Sequence, residues 1–209
     1  MTDFAKLPLE QFLDELASAS PTPGGGTAAA AAGAAGAGLA EMVAALTLAR
    51  EKYAAVHEPV RAIAEKGRAT RSELLDLARE DSEAYDAVVA ARRLPKETEE
   101  EKSVRARAME EANRRAAEVP MQTARAAVRL LEALPELIEK GNPNALSDAG
   151  ASALLLAAAA QGALLNVGIN LPGISDPDFV ARMQRETAAI QEEVERLRSQ
   201  ILEAVRKRF

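Results

Sequence analysis

Three observations predict an all-α fold, a single bundle of long helices. Strong helix formers dominate: the 48% of hydrophobic residues come mostly from Ala and Leu, and aromatics contribute only 3%. Strand signals are missing. Segments 27–40 and 149–171 contain no charged residue. A helix that is apolar all round belongs at the buried centre of a bundle, where small side chains let neighbouring backbones approach. A chain of 209 residues is long enough for one proper core, so residues 1–209 are expected to form one domain.

The elements follow in order. Helical spacing predicts a short helix over 9–19. The segment Ser20-Pro21-Thr22-Pro23-Gly24-Gly25-Gly26 cannot continue it, because its two prolines and three glycines oppose regular structure. Thr27 is then placed to N-cap a long helix reaching about residue 56. Pro59 suits the first turn of a third helix that ends near 93. Leu94-Pro95-Lys96 breaks the chain, and Thr98 with Glu101 three residues on has the pattern of a capping box for the fourth. That helix is expected to bend near Pro120 and to end near 134, with a short piece over 135–140. Gly141-Asn142-Pro143 reads as a stop, a cap and a new start for the uncharged helix, which runs to about 170. A Pro172-Gly173 turn leads to Asp176-Pro177, which opens a last helix to about 207.

Composition narrows the function. A formal charge of −6 on a mixed-sign surface argues against nucleic acid as a partner. The absence of cysteine excludes disulfides, thiolate nucleophiles and Cys-based metal sites. The one histidine, His57, argues against zinc or di-iron, and leaves carboxylate-only magnesium sites open. No metal is expected. Asp3, Glu10, Asp14 and Glu15 interrupt any apolar leader, so the cytoplasm is the expected location. The uncharged helices make poor membrane spans: they are Ala- and Gly-rich, with Ser152, Gln161, Asn166 and Asn170 interspersed.

Three places hold candidate chemistry. Gly24, Gly25 and Gly26, with Pro23 before them, open a helix N-terminus, whose free N–H groups suit a carboxylate, a phosphate or a polar heterocycle. A plain turn fits the same residues. On the third helix Ile63, Leu74, Leu77, Tyr85 and Val88 fall within about 40° of one direction at 100° per residue, and Asp81 lies at the centre of that stripe. A carboxyl on an apolar face is desolvated, which raises its pKa and suits it to general acid or base work. The alternative is a structural Asp bonded to a helix end or a buried Arg. Third, Asn142, Asn144, Ser147, Asp148, Ser152, Asn166 and Asn170 lie on or beside the second uncharged helix. Asp148 and Asn166 share a face but stand about 27 Å apart by helix rise, so they cannot touch one reacting atom. Capping and cross-helix bonds are the alternative here. Arg92, Arg93 and Lys96, near the end of the Asp81 helix, are basic candidates for the acidic tail of a substrate.

The succession SPTPGGGTAAA, LTLAREKY, EDSEAYDAVVAARRLPKETEEEK, AAEVP, NPNALSDAGASALLL and NVGINL resembles the cyclodeaminase domain of formimidoyltransferase-cyclodeaminase and its stand-alone bacterial relatives, which include methenyltetrahydrofolate cyclohydrolases. The resemblance spans nearly the whole chain, without the formimidoyltransferase domain. It implies an all-helical homodimer with a folate site between helices. It also implies a proton donor at the Asp of a D-S/A-x-A-F/Y motif, which falls on Asp81 with Tyr85 four residues later. Thr27 stands where a Ser is frequent and keeps the hydroxyl.

The implied reaction converts 5-formimidoyltetrahydrofolate to 5,10-methenyltetrahydrofolate and ammonia. A tetrahydrofolate derivative is the substrate, no cofactor is required, and a separate formimidoyltransferase is a conceivable partner. Asp81 is the catalytic candidate. Pro23, Gly24, Gly25, Gly26, Tyr85, Lys96, Ser147, Asp148, Asn166 and Asn170 are the binding candidates. The sequence leaves two alternatives standing: cyclohydrolase action, in which water opens 5,10-methenyltetrahydrofolate to 10-formyltetrahydrofolate, and a non-catalytic helical dimer that binds a ligand or scaffolds a partner.

Overall fold

The computed structural model describes residues 6–208, and among them there is helix and no strand. Seven α-helices follow one another: α1 Leu9–Leu16, α2 Gly25–Leu48, α3 His57–Arg92, α4 Glu99–Leu131, α5 Leu134–Lys140, α6 Leu146–Asn170 and α7 Pro177–Arg206. Short 3-10 turns at Glu51–Val56, Pro143–Ala145 and Leu171–Gly173 join them. α2 packs chiefly on α3 and α6, α4 bridges α3 and α6, and α7 covers α6. The core is built from buried alanines of α2 and α6 with Leu130, Leu131, Leu134, Leu156 and Ile201.

Local chemistry sets the boundaries. The expected capping box at α4 is present: the Thr98 hydroxyl accepts from the Glu101 N–H, and the Glu101 carboxylate accepts from the Thr98 N–H. Asp176 caps α7 by accepting from the N–H groups of Asp178 and Phe179. Asn142 caps the 3-10 turn before α6, and its own N–H donates to Thr47 Oγ1 at the end of α2. Three expectations need correction. α1 ends at Leu16, short of the expected stop at 19, and α2 gives way at Leu48 to a 3-10 turn instead of continuing to 56. Thr27 is not an N-cap, since α2 begins at Gly25 with Gly24 in the cap position. Gly24 and Gly25 carry no β-carbon to obstruct that earlier start, and the Thr27 hydroxyl is then free for another partner.

α2 and α6 lie close enough for the Ser152 hydroxyl to donate to the Gly36 carbonyl at 2.7 Å. A β-carbon at Gly36 would stand 3.1 Å from Leu155, Leu156 and the Ser152 carbonyl, so only glycine admits this approach without displacement. Both helices are long and apolar enough to cross a membrane by length and composition, yet here they pack side by side. Burial on every side is not observed. The small residues face α3, α4 and α7, and five larger ones turn outward: Met42 and Leu46 on α2, Leu154, Leu165 and Ile169 on α6 are exposed, the last two by 76% and 77%.

α4 continues through Pro120 as one helix. Pro120 has no N–H, so the Ala116 carbonyl one turn earlier loses its helical donor. The Asn170 amide of α6 supplies that donor at 2.7 Å. Asn170→Ala should therefore cost about 1–3 kcal/mol in urea unfolding by leaving a buried acceptor unpaired. In a Pro120→Ala background, where the helix provides its own N–H, the same substitution should cost measurably less. Additive effects would show that the two residues do not share that carbonyl.

Candidate active site

The N-terminus of α2, the middle of α3 and the C-terminus of α6 converge on a cleft of about 330 Å³, within the size range of small-ligand sites. Pro21, Thr22, Gly24, Gly25 and Gly26 form one wall, Asp81, Tyr85, Val88 and Arg92 a second, and Ala116, Asn166, Ile169 and Asn170 a third. A wider groove of about 680 Å³ lies elsewhere between α3 and α4. Its floor is mostly alanine, and Glu111, Arg114, Arg115 and Glu118 form its rim.

Asp81 is fixed by its neighbours. Its carboxyl lies directly against the first turn of α2, where a β-carbon at Gly26 would come within 2.7 Å of all three carboxyl atoms. Any larger residue at 26 would take its place. Thr27 Oγ1 donates to Asp81 Oδ2 at 3.0 Å and lies 3.1 Å from Ser82 Oγ. Threonine has a single hydroxyl hydrogen, so Ser82 is the donor in the second bond. Thr27 and Ser82 are both buried. Burial pushes the Asp81 carboxyl above the ordinary aspartate range, and hydrogen bonds from the Thr27 side chain and backbone oppose the shift. Desolvation is the larger effect.

The glycines, Asp81, Tyr85, Arg92, Asn166 and Asn170 share this cleft; Pro23, Arg93, Lys96, Ser147 and Asp148 do not line it. Pro23 is buried behind the loop. Lys96 is exposed in the turn between α3 and α4, and Arg92 supplies the cation at that end. Ser147 and Asp148 lie in the first turn of α6, at the opposite end from Asn166. Tyr85 was expected in the core but is 38% exposed, because beyond Asp81 this side of α3 faces the cleft. Asn142 and Ser152 have structural bonds, to Asn144 and to Gly36. Among the described residues no three His, Cys, Asp or Glu side chains gather as a metal-ligand set.

Several lining residues were not among the sequence candidates. Pro21 and Thr22 belong to the glycine loop and Ile169 follows Asn166 by three positions, so adjacency was the available signal. The contacts of Thr27 to Asp81 and to Ser82 join positions 54 and 55 residues apart and left none.

Comparison with known proteins gives a consistent result. The formiminotransferase-cyclodeaminase family model matches residues 8–189. A methenyltetrahydrofolate cyclohydrolase of Methylorubrum extorquens is 40% identical over 200 residues, covering 96% of each chain. The formimidoyltransferase-cyclodeaminase of Sus scrofa is 34% identical over 201 residues, and there the match covers 96% of this chain but 37% of the pig protein. A crystal structure of formiminotetrahydrofolate cyclodeaminase from Thermotoga maritima superposes with a TM-score of 0.86 at 34% identity, covering 97% of both chains. The match over residues 8–189, on a fold that places a desolvated Asp81 beside a glycine loop, shows that this chain belongs to the formiminotransferase-cyclodeaminase family.

Proposed function

We propose that the chain is an enzyme of one-carbon folate metabolism, a formimidoyltetrahydrofolate cyclodeaminase with Asp81 as its proton donor. The observation that carries this reading is the desolvated Asp81 carboxyl, positioned by Gly26 and Thr27 in the cleft of a chain from this family. N10 of 5-formimidoyltetrahydrofolate attacks the formimidoyl carbon, and its proton passes to the imino nitrogen. The resulting tetrahedral carbon bears N5, N10 and an amino group. Asp81 gives its proton to that amino group, ammonia leaves, and the 5,10-methenyl cation remains beside an Asp81 carboxylate. The folded site supplies orientation, since nucleophile and electrophile belong to one molecule. Solvent restores the proton before the next turnover. A separate formimidoyltransferase would supply the substrate.

A second reading is cyclohydrolase action, favoured by the 40% identity to the Methylorubrum protein. Water then adds to the methenyl carbon, and Asp81 acts as carboxylate, taking a proton from that water. The two reactions require opposite protonation states of one group.

The assembly we propose is a cytoplasmic homodimer that covers the outward face of α2 and α6. Met42, Leu46, Leu154, Leu165 and Ile169 expose more apolar surface there than a solvated helix pair requires. Ile169 also lines the cleft, so the partner's surface would reach the edge of the site.

These proposals have direct tests. Purified protein assayed with both folates should release ammonia from 5-formimidoyltetrahydrofolate, and Asp81→Asn should slow turnover by roughly 10²–10⁴. A wild-type rate in that variant would remove Asp81 from the mechanism. Stability should respond differently. A carboxyl with a raised pKa binds its proton more tightly folded than unfolded, so its contribution to folding is fully present below the unfolded value and is lost as pH rises through the folded one. Urea unfolding should thus show the wild type losing ground to Asp81→Asn as pH rises past the ordinary aspartate range. The pH–rate profile separates the two reactions: deamination should fall as Asp81 ionises, and hydrolysis should fall as it protonates. Light scattering should give a dimer at micromolar concentration, and a stable monomer would refute the assembly.

A further inference from the structure

Asn166 and Asn170 present the same group to the cleft. Asn166 Nδ2 donates to the Gly162 carbonyl at 2.9 Å, and Asn170 Nδ2 donates to the carbonyls of Ala116 at 2.7 Å and Asn166 at 2.9 Å. A carbonyl accepts only from an N–H, so these bonds determine which way each amide faces. Neither side-chain oxygen receives a hydrogen bond from the described residues, and neither is sealed from solvent. Two unpartnered acceptors, one helical turn apart, therefore line the cleft.

The cleft also has polarity along its length. Gly25 faces Asn166, with 3.4 Å between its β-position and Nδ2, and the next residue, Gly26, faces Asp81. Asn166 and the Asp81 carboxyl thus lie at one level. Arg92 stands eleven residues further along α3, about 16 Å by helix rise. Its guanidinium has no acidic partner among the described residues. A ligand with N–H donors at one end and carboxylates at the other fits this arrangement in one direction only.

We propose that the side-chain oxygens of Asn166 and Asn170 read the N–H edge of the reduced pterin, Asn166 the 2-amino group and Asn170 the adjacent ring N–H, and so orient the substrate with its glutamate tail toward Arg92. The assignment rests on the folate reading above and adds to it the direction of binding. Neutral acceptors suit the task, because a ring edge bearing only acceptors would be repelled, and no carboxylate is added beside Asp81.

The test is a titration calorimetry comparison of 5-formyltetrahydrofolate with its 2-desamino analogue. Loss of the amino group should weaken binding to the wild type about fivefold to tenfold. Asn166→Ala should bind the intact folate weaker by a similar factor and should no longer distinguish the two ligands. The fold is not at stake, since the Gly162 carbonyl keeps its helical N–H. Asn166→Asp, which retains an acceptor oxygen, should still discriminate. If Asn166→Ala prefers the amino ligand by the wild-type factor, the oxygen does not read that group and the orientation is overturned, with the folate reading intact. If the wild type binds neither ligand, the folate reading fails and the orientation with it.

Discussion

The close approach of α2 to its neighbours is what fixes the position of Asp81. At Gly36 the helix comes near enough to α6 for Ser152 to bond its carbonyl, and the same slender helix runs back to Gly26, where the missing side chain leaves the space that the Asp81 carboxyl fills. A bundle of average-sized residues would hold these backbones further apart and admit water around the carboxyl. The desolvation of Asp81 is thus a consequence of Ala and Gly content many residues away. It could not be reproduced by moving Asp81 alone into another helix pair.

Two influences act on that carboxyl in opposite directions, and their sizes decide its chemistry. Thr27 donates to it, which favours the carboxylate, and burial disfavours any charge; burial is the larger effect. The hydrogen-bond chain from Ser82 through Thr27 holds Oδ2 in place without holding the group ionised. An arginine in place of Thr27 would do the reverse, making a permanent carboxylate that could accept a proton but not supply one. The site as built favours the protonated carboxyl more than water does.

The order of the helices, the capping box and the polar stripe anomaly at Asp81 were legible in the sequence because each depends on residues within a few turns of one another. What was not legible depended on depth or on distant pairing. The hydroxyl of Thr27 satisfies the pattern of an N-cap, and nothing local shows that the cap of α2 lies three residues earlier, at Gly24. Tyr85 belongs to the apolar stripe by angle, but angle does not tell where a core ends and a cleft begins. Arg92 and Lys96 looked equivalent as cations beside a helix end, and the cleft takes only Arg92 into its lining.

Pro120 joins the fold to the site. Inside a helix a proline costs about 3 kcal/mol relative to alanine, whereas the single bond that Asn170 makes to the freed Ala116 carbonyl returns about 1 kcal/mol in a typical case. As a device for stability the arrangement loses. Its structural effect lies elsewhere: with both amide hydrogens of Asn170 bound to carbonyls, the side chain cannot rotate without breaking two hydrogen bonds, one of them to a buried acceptor. The amide oxygen is held toward the cleft before any ligand arrives, so binding does not have to freeze that rotation. A helical N–H at position 120 would satisfy Ala116 locally and leave Asn170 free to turn. The N–H missing from α4 is what ties the Asn170 side chain of one cleft wall to its neighbour helix.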